Sequence, residues 1–160
     1  MTRCARGGVR RVVTRDVDRV LGLWSGLIGH HQAIDPHWRA APGAEDEWRR
    51  LLVRLLADAD ASVLVWEEEG DLLGFCAAQI EDAPPLVAES ARAEITDLFV
   101  CEDSRRRGIG RRLVEAVTDW LRERGVPRVE VRVAVRNAEG QAFWRALGYD
   151  DLVDVLQRPL

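Results

Sequence analysis

The stretch Glu94-Ile-Thr-Asp-Leu-Phe-Val-Cys-Glu-Asp-Ser-Arg105-Arg-Arg-Gly108-Ile-Gly110-Arg-Arg-Leu-Val114 decides the fold. Ile95 to Cys101 is rich in β-branched and aromatic residues, the composition of a buried strand. From Leu113 the apolar residues Leu113, Val114, Val117, Trp120 and Leu121 recur at helical spacing. Between strand and helix lies Arg105-Arg106-Arg107-Gly108-Ile109-Gly110, whose glycines let the backbone come close to a ligand. The N–H groups that open a helix lack intrahelical acceptors and sit at the positive end of its dipole, which suits phosphate oxygens. Arginines around the turn, Arg111 included, add charge-assisted hydrogen bonds. The turn is not a P-loop, because the Gly-Lys-Ser/Thr ending is missing. Nor is it a dinucleotide fingerprint, since no third glycine follows Gly110 at the required spacing. An arginine run can also be a nucleic-acid patch or a targeting signal, but neither needs Gly-x-Gly followed by a helix.

Working outward, Val9 to Val13 reads as a first strand and Arg15 to about His31 as a helix that buries Val17, Val20, Leu21, Trp24, Leu27 and Ile28. Thr14 is placed to cap it, with Asp16 and Asp18 near its positive end. Pro36 marks a break, and Glu45 to about Ala59 forms a second helix with the stripe Trp48, Leu51, Leu52, Leu55 and Leu56. Ser62 to Trp66 and Leu72 to Ile80 are strands joined by the turn Glu67-Glu68-Glu69-Gly70-Asp71. Glu81 to about Ala91, with Pro84-Pro85, is a loop into the central strand. Gly125-Val126-Pro127 closes the helix after the arginine turn, and Arg128 to Val135 alternates as a strand. Asn137 to Leu147 is a short helix stopped by Gly148, and Tyr149 to Leu156 supplies a last strand or strand pair.

The 160 residues are 47% hydrophobic and 31% charged, the balance of one globular domain, spanning 1–160, with a real core. A net charge of −4 argues against a general nucleic-acid binder. No apolar run is long enough to span a membrane, and Met1 to Gly8 lacks the apolar core of a signal peptide, so a cytoplasmic location is expected. Cys4, Cys76 and Cys101 have no metal-ligand spacing. All 23 basic residues are arginine, a mark of coding bias more than of function.

The turn closely resembles the pyrophosphate-binding motif Gln/Arg-x-x-Gly-x-Gly/Ala of the GNAT superfamily of acyl-coenzyme A N-acyltransferases, with Arg105, Gly108 and Gly110 at the fixed positions. The tail resembles that family's second signature, an asparagine followed by Ala, Ala-Phe-Tyr and Gly-Phe. Here the series reads Asn137, Gly140, Ala142-Phe143-Trp144 and Gly148-Tyr149. The element order βααβββαβαβ matches as well. The resemblance implies an α/β (α+β) fold, a mixed central sheet of about six to seven strands with about four flanking helices, splayed between the fourth and fifth strands.

It also implies acetyl-CoA as cosubstrate and direct transfer of the acetyl group to a primary amine of a small molecule or peptide, in a ternary complex. No metal, nucleic acid or membrane partner is implied, and homodimers are common in the family. Carried over residue by residue, main-chain groups of Leu98, Phe99 and Val100 would contact pantetheine and the thioester carbonyl. Arg105, Arg106, Arg107, Gly108, Ile109, Gly110 and Arg111 would hold the pyrophosphate, and Asn137 would contact the pantetheine arm.

Acyl transfer needs a deprotonated amine, a fixed donor for the oxyanion and, usefully, a proton for the leaving thiolate. Glu94 is the candidate general base; strand alternation puts it on one face with Thr96, Leu98 and Val100. Its plainer reading is an exposed carboxylate at a strand start. Asp97 is the runner-up, and it shares that face only if a bulge shifts the register. Trp144 stands where the family commonly has a tyrosine that protonates the thiolate, and an indole N–H is not a usable acid. The thiolate would then leave unassisted, or a water would serve, or the chain would be a non-catalytic acyl-CoA-binding module. Trp144 could still pack against the cofactor. The loop between the first two helices and the Pro84-Pro85 region would form the acceptor pocket, with His31, Asp35 and Trp38 as contacts to a cationic amine. A capped polar helix end accounts for the same residues. His30, His31 and His37 lack a familiar metal-ligand spacing.

Overall fold

The computed structural model describes residues 7–83, 86, 88 and 91–160. Its strands are β1 (Gly8–Arg11), β2 (Ala61–Glu68), β3 (Asp71–Asp82), β4 (Ala91–Val100) and β5 (Val129–Val131). Its helices are α1 (Val17–Ile34), α2 (Ala44–Ala57), α3 (Ile109–Glu123) and α4 (Ala138–Ala146). The described strands form one sheet in the order β1-β2-β3-β4-β5, antiparallel except for the last pair, which is parallel. Helices cover both faces. Val20, Leu21 and Trp24 of α1 and Trp48 and Leu52 of α2 pack on Val63, Val65, Phe75 and Ala77. On the other face Leu113, Val114, Val117 and Leu121 of α3 pack on Leu64, Cys76, Ala78, Ala93 and Ile95. The alternation along β2 and β3 therefore feeds two cores at once, the sign of a sheet buried on both sides. Trp24 stacks on Trp48 at 5.2 Å, and Trp48 meets Phe75 edge-on at 5.8 Å.

Several local expectations are corrected. Thr14 does not cap α1; a 3-10 turn over Thr14–Asp16 precedes it, and the buried Asp16 does the anchoring. Asp16 Oδ2 accepts from the Val13 N–H at 3.0 Å and from Arg10 Nη1 at 2.6 Å, while Oδ1 accepts from Arg10 Nη2 at 3.0 Å. The Arg10 guanidinium thus holds this carboxyl down at about 2. The β2–β3 hairpin closes through Glu69 and Gly70, both at positive φ (53° and 90°), the conformation that matches strand twist in a two-residue turn. The loop expected over Glu81 to Ala91 is shorter, because Glu81↔Arg92 and Asp82↔Ala91 extend the β3–β4 ladder. Cys4 and Pro84-Pro85 lie outside the described residues.

The larger correction is the strand count, five among the described residues. Arg128 to Val135 is strand only over Val129–Val131, and Tyr149 to Leu156 forms none. With three residues, β5 offers little edge to pair with, and Leu152, Val153, Val155 and Leu156 stand exposed among Asp150, Asp151 and Asp154. Arg145 Nη2 ties the start of this tail to α4 through Asp151 at 2.6 Å.

Candidate active site

Two irregularities of β4 build the site. The first is a bulge. Ala78 pairs with Ile95 and Ala77 with Asp97, so Thr96 is an extra residue with no partner of its own. Opposed residues share a face, and the bulge reverses the alternation. Glu94 and Asp97 therefore lie on the α1/α2 side, opposite Gln79 and Ala77, whereas Leu98 and Val100 pack in the α3-side core. Thr96 Oγ1 donates to Asp97 Oδ2 at 2.8 Å. The expectation that Glu94, Leu98 and Val100 share a face is overturned, and Asp97 joins Glu94 instead. Phe99 also faces α1, so close to Gly26 that a Cβ there would meet its ring at 2.8 Å.

The second irregularity is a splay. The β4–β5 ladder spans only Ala93↔Val129, Glu94↔Glu130 and Ile95↔Val131, while β4 runs on to Val100. Cys101 N–H donates to Leu73 O at 2.9 Å on the β3 side. Strand alternation turns the N–H groups of Val100 and Leu98 the other way, toward the gap that β5 leaves.

The same strand runs into the arginine turn. Arg106 (φ 60°) and Gly108 (φ 79°) both take the left-handed conformation, which a side-chain-bearing residue adopts at a cost of about 1 kcal/mol. The first helical bond of α3 is Arg112 N–H to Gly108 O at 3.1 Å, so the N–H groups of Ile109, Gly110 and Arg111 have no acceptor within the helix. Ile109 itself is core, and only its main chain faces the turn. Gly110 lets the first turn of α3 lie against Phe143 and Val100, at 3.4 Å and 3.7 Å from an added Cβ. Arg105 Nε donates to Val100 O at 3.1 Å. Arg105 and Arg106 reach Glu139 at 3.8 Å and 3.7 Å, and Arg107 Nη2 donates to both carboxylate oxygens of Glu68, at 2.7 Å and 2.8 Å. Arg107, with the Trp66 indole N–H, holds the Glu68 carboxyl below its ordinary range. Arg111 is exposed on the first turn of α3.

Asn137 is the N-cap of α4, its Oδ1 accepting from the Gly140 N–H at 2.9 Å, which leaves Nδ2 as the group it can turn to a ligand. Trp144 is 7% exposed and belongs to the α3-side core, its ring meeting Phe143 at 5.2 Å and Tyr149 at 4.9 Å. Cys101 packs toward the α1/α2 core, and burial raises its thiol.

On the acceptor side, His31 and Trp38 approach with ring centroids 6.2 Å apart, and burial lowers the His31 imidazole. Asp35 Oδ1 caps the 3-10 turn Pro36–Trp38 through the His37 N–H at 3.0 Å. Two arginines that the sequence reading passed over come to these acids. Arg132 Nε lies 3.3 Å from Glu94 Oε1, and Arg136 Nη1 lies 3.5 Å from Asp35 Oδ1. The signal was their place, on either side of an apolar alternation just before Asn137. Glu94 is 17% exposed; burial raises the Asp97 carboxyl, opposed by its bond from Thr96. Among the described residues the histidines join no cluster able to hold a metal, and no helix is long and apolar enough to cross a membrane.

The acetyltransferase (GNAT) family model matches residues 27–149, which takes in β4, the arginine turn and α4. The chain belongs to the GNAT family. It is 27% identical over 144 residues to an uncharacterised N-acetyltransferase of Methanocaldococcus jannaschii, covering 89% of this chain and 60% of that protein. It is 33% identical over 93 residues to streptothricin acetyltransferase of Streptomyces lavendulae, covering 58% of this chain and 46% of that protein. The matches thus span less than two thirds of either relative. Among solved structures, a mutant BH1408 protein of Bacillus halodurans superposes with a TM-score of 0.84 at 21% identity, covering 96% of this chain and 99% of that one. The aminoglycoside N-acetyltransferase AAC(6')-Iy in complex with CoA superposes with a TM-score of 0.76 at 19% identity, covering all of this chain (100%) and 98% of that one. These likenesses establish a GNAT fold with the shorter sheet found here.

Proposed function

We propose that this GNAT domain transfers an acetyl group from acetyl-CoA to a primary amine of a small molecule or peptide, directly and in a ternary complex. The observation that carries the reading is the continuity of β4. One strand holds two carboxylates on one face, runs on past the end of the β5 ladder, and leads into a turn whose helix opens on N–H groups without intrahelical acceptors. The open first turn of α3 and Arg105, Arg106 and Arg107 fit a pyrophosphate, and Asn137 Nδ2 with the Leu98 and Val100 N–H groups fits a pantetheine amide. Acetyl-CoA, when bound, supplies an acyl carbon on a sulfur leaving group. The chain's own part is then threefold. Glu94, with Asp97 beside it on the same face, takes the proton that the ammonium must lose. The Val100 N–H stands ready for developing negative charge on the acyl oxygen. Arg105 and its neighbours exchange carboxylate partners for phosphate, so binding replaces ion pairs rather than stripping bare guanidinium groups. The structural neighbours include enzymes described as acetylating aminoglycosides, which supports a small-molecule amine as acceptor.

Calorimetric titration with acetyl-CoA, CoA and ADP tests the reading. Saturable binding in roughly the micromolar range, weaker for ADP, is expected. Binding of none of the three would defeat it. The second reading, a non-catalytic acyl-CoA-binding module, draws on Trp144, which fills the core where a hydroxyl acid would stand. It predicts the same binding with no thiol release from any amine.

A further inference from the structure

Where β3, β4 and β5 run side by side, the two faces of the sheet differ completely. On the α3 side stand Ile80, Ala93 and Val129, then Ala78, Ile95 and Val131, all apolar. On the other side stand Glu81 and Arg92, then Gln79, Glu94 and Glu130, where α1 and α2 no longer supply apolar cover. This floor alternates in sign. Arg92 bridges Glu81 and Glu130, each at 3.2 Å, and Arg128 meets Glu130 at 2.9 Å. Above it run Arg132 and Arg136, each on an acid named above. Their backbone is fixed: Gln141 Nε2 donates to Val133 O and Ala134 O, both at 3.3 Å, and Asn137 N–H to Ala134 O at 2.9 Å. Both arginine side chains are open to solvent, at 81% and 67% exposure.

A site meant for a bare cation would hold its acids unpaired. Here Glu94 and Asp35 already have tethered guanidinium partners, and an incoming ammonium has to compete with a group whose local concentration is of millimolar order. The arginine end of each pair is solvated and free to swing away, so exchange is easy for a ligand that satisfies both partners. An amine carrying a carboxylate does so: its ammonium takes the acid and its carboxylate takes the guanidinium in a charge-assisted hydrogen bond. We infer that the acceptor is zwitterionic, an amino-acid-like amine with a carboxylate a few bonds away, and that Arg132 and Arg136 set this preference. The inference rests on the acyl-transfer reading above and names the substrate class for it.

The test measures thiol release from acetyl-CoA with matched amines: L-phenylalanine against phenethylamine, L-tryptophan against tryptamine, L-ornithine against putrescine, and spermidine as a polycation. The carboxylated members are expected to show kcat/KM roughly tenfold higher or more, the worth of one charge-assisted hydrogen bond. Arg136→Gln, and more fully Arg132→Gln/Arg136→Gln, should erase the ratio by raising KM for the carboxylated amines, while Arg136→Lys keeps part of it. Preference for the decarboxylated amines or for spermidine overturns the inference. So does a ratio untouched by the glutamine variants, and so does turnover of no amine in the panel by protein that binds acetyl-CoA in the calorimeter. Failure to bind acetyl-CoA at all instead breaks the acyl-transfer reading itself, and this inference with it.

Discussion

The two faces of one short piece of sheet divide the work of the molecule. Toward α3, Ala93 and Ile95 are buried among aliphatic side chains and hold the fold together. Toward the other side, Glu94 and Asp97 leave the same strand into a charged and partly open setting. Neighbouring residues thus belong to different problems, and a substitution at one should be silent in the other's assay. The difference teaches that on a two-faced strand parity, more than proximity, separates stability from chemistry.

The strongest way to break that division is at the carboxylates. Glu94→Gln is expected to lower kcat on the order of 10²–10⁴-fold without moving the unfolding midpoint, the range for loss of a general base. If Asp97 carries the proton instead, Asp97→Asn takes that loss. Because burial raises the Asp97 carboxyl, the acidic limb of its kcat/KM profile then lies above the ordinary carboxylate range, with activity falling as pH drops through it. Loss of stability with unchanged turnover in both variants would erase the distinction between the faces. The converse test is Ile95→Ala, which should cost about 2–5 kcal/mol in denaturant unfolding through the cavity it leaves, while the remaining folded protein turns over normally.

Asp16 sharpens the comparison as a charge with a structural task. Its carboxyl is held at about 2, below the ordinary 3.8, so its stabilising effect is complete above pH 4 and lost as pH falls toward 2. The loss is about 2 kcal/mol, and unfolding measured across that window should show it, with Asp16→Asn flattening the pH dependence. The smallest effect is expected at Tyr149. Its buried hydroxyl has no hydrogen-bond partner among the described residues, and burial pushes it up to about 12. Tyr149→Phe should therefore raise stability by about 1 kcal/mol, read as a higher melting temperature, and leave thiol release intact.

How much of this was legible beforehand follows from which forces act locally. The arginine turn and α3 could be read because glycine geometry, helix capping and apolar periodicity are written in adjacent residues; Gly108 and Gly148 take the left-handed conformations their positions demand. The splay and the helices flanking the sheet were implied by the family resemblance, whereas the division into two cores appears only once the strands are paired. The bulge could not be read, because Thr96 differs in no way from a paired strand threonine; only the ladder to β3 reveals that it is extra. That one residue decided the face of Asp97, Leu98, Phe99 and Val100. The tail misled for the opposite reason: Leu152 to Leu156 has the composition of a strand, but strand formation needs a partner edge, and β5 ends after three residues. Arg132 and Arg136 were missed because their acids are distant in sequence, on β4 and at the end of α1.

Thr96 also uncouples the length of β4 from its alternation. Removing it would let Asp97 follow Ile95 directly, so Ala78↔Ile95 and Ala77↔Asp97 become neighbouring rungs and every later side chain keeps its face. Drawing Thr96 into the ladder would instead turn Leu98 toward the charges and Asp97 into the aliphatic core, where an unpaired carboxylate is costly. Loss of this residue should therefore be tolerated better than any change that straightens the strand around it.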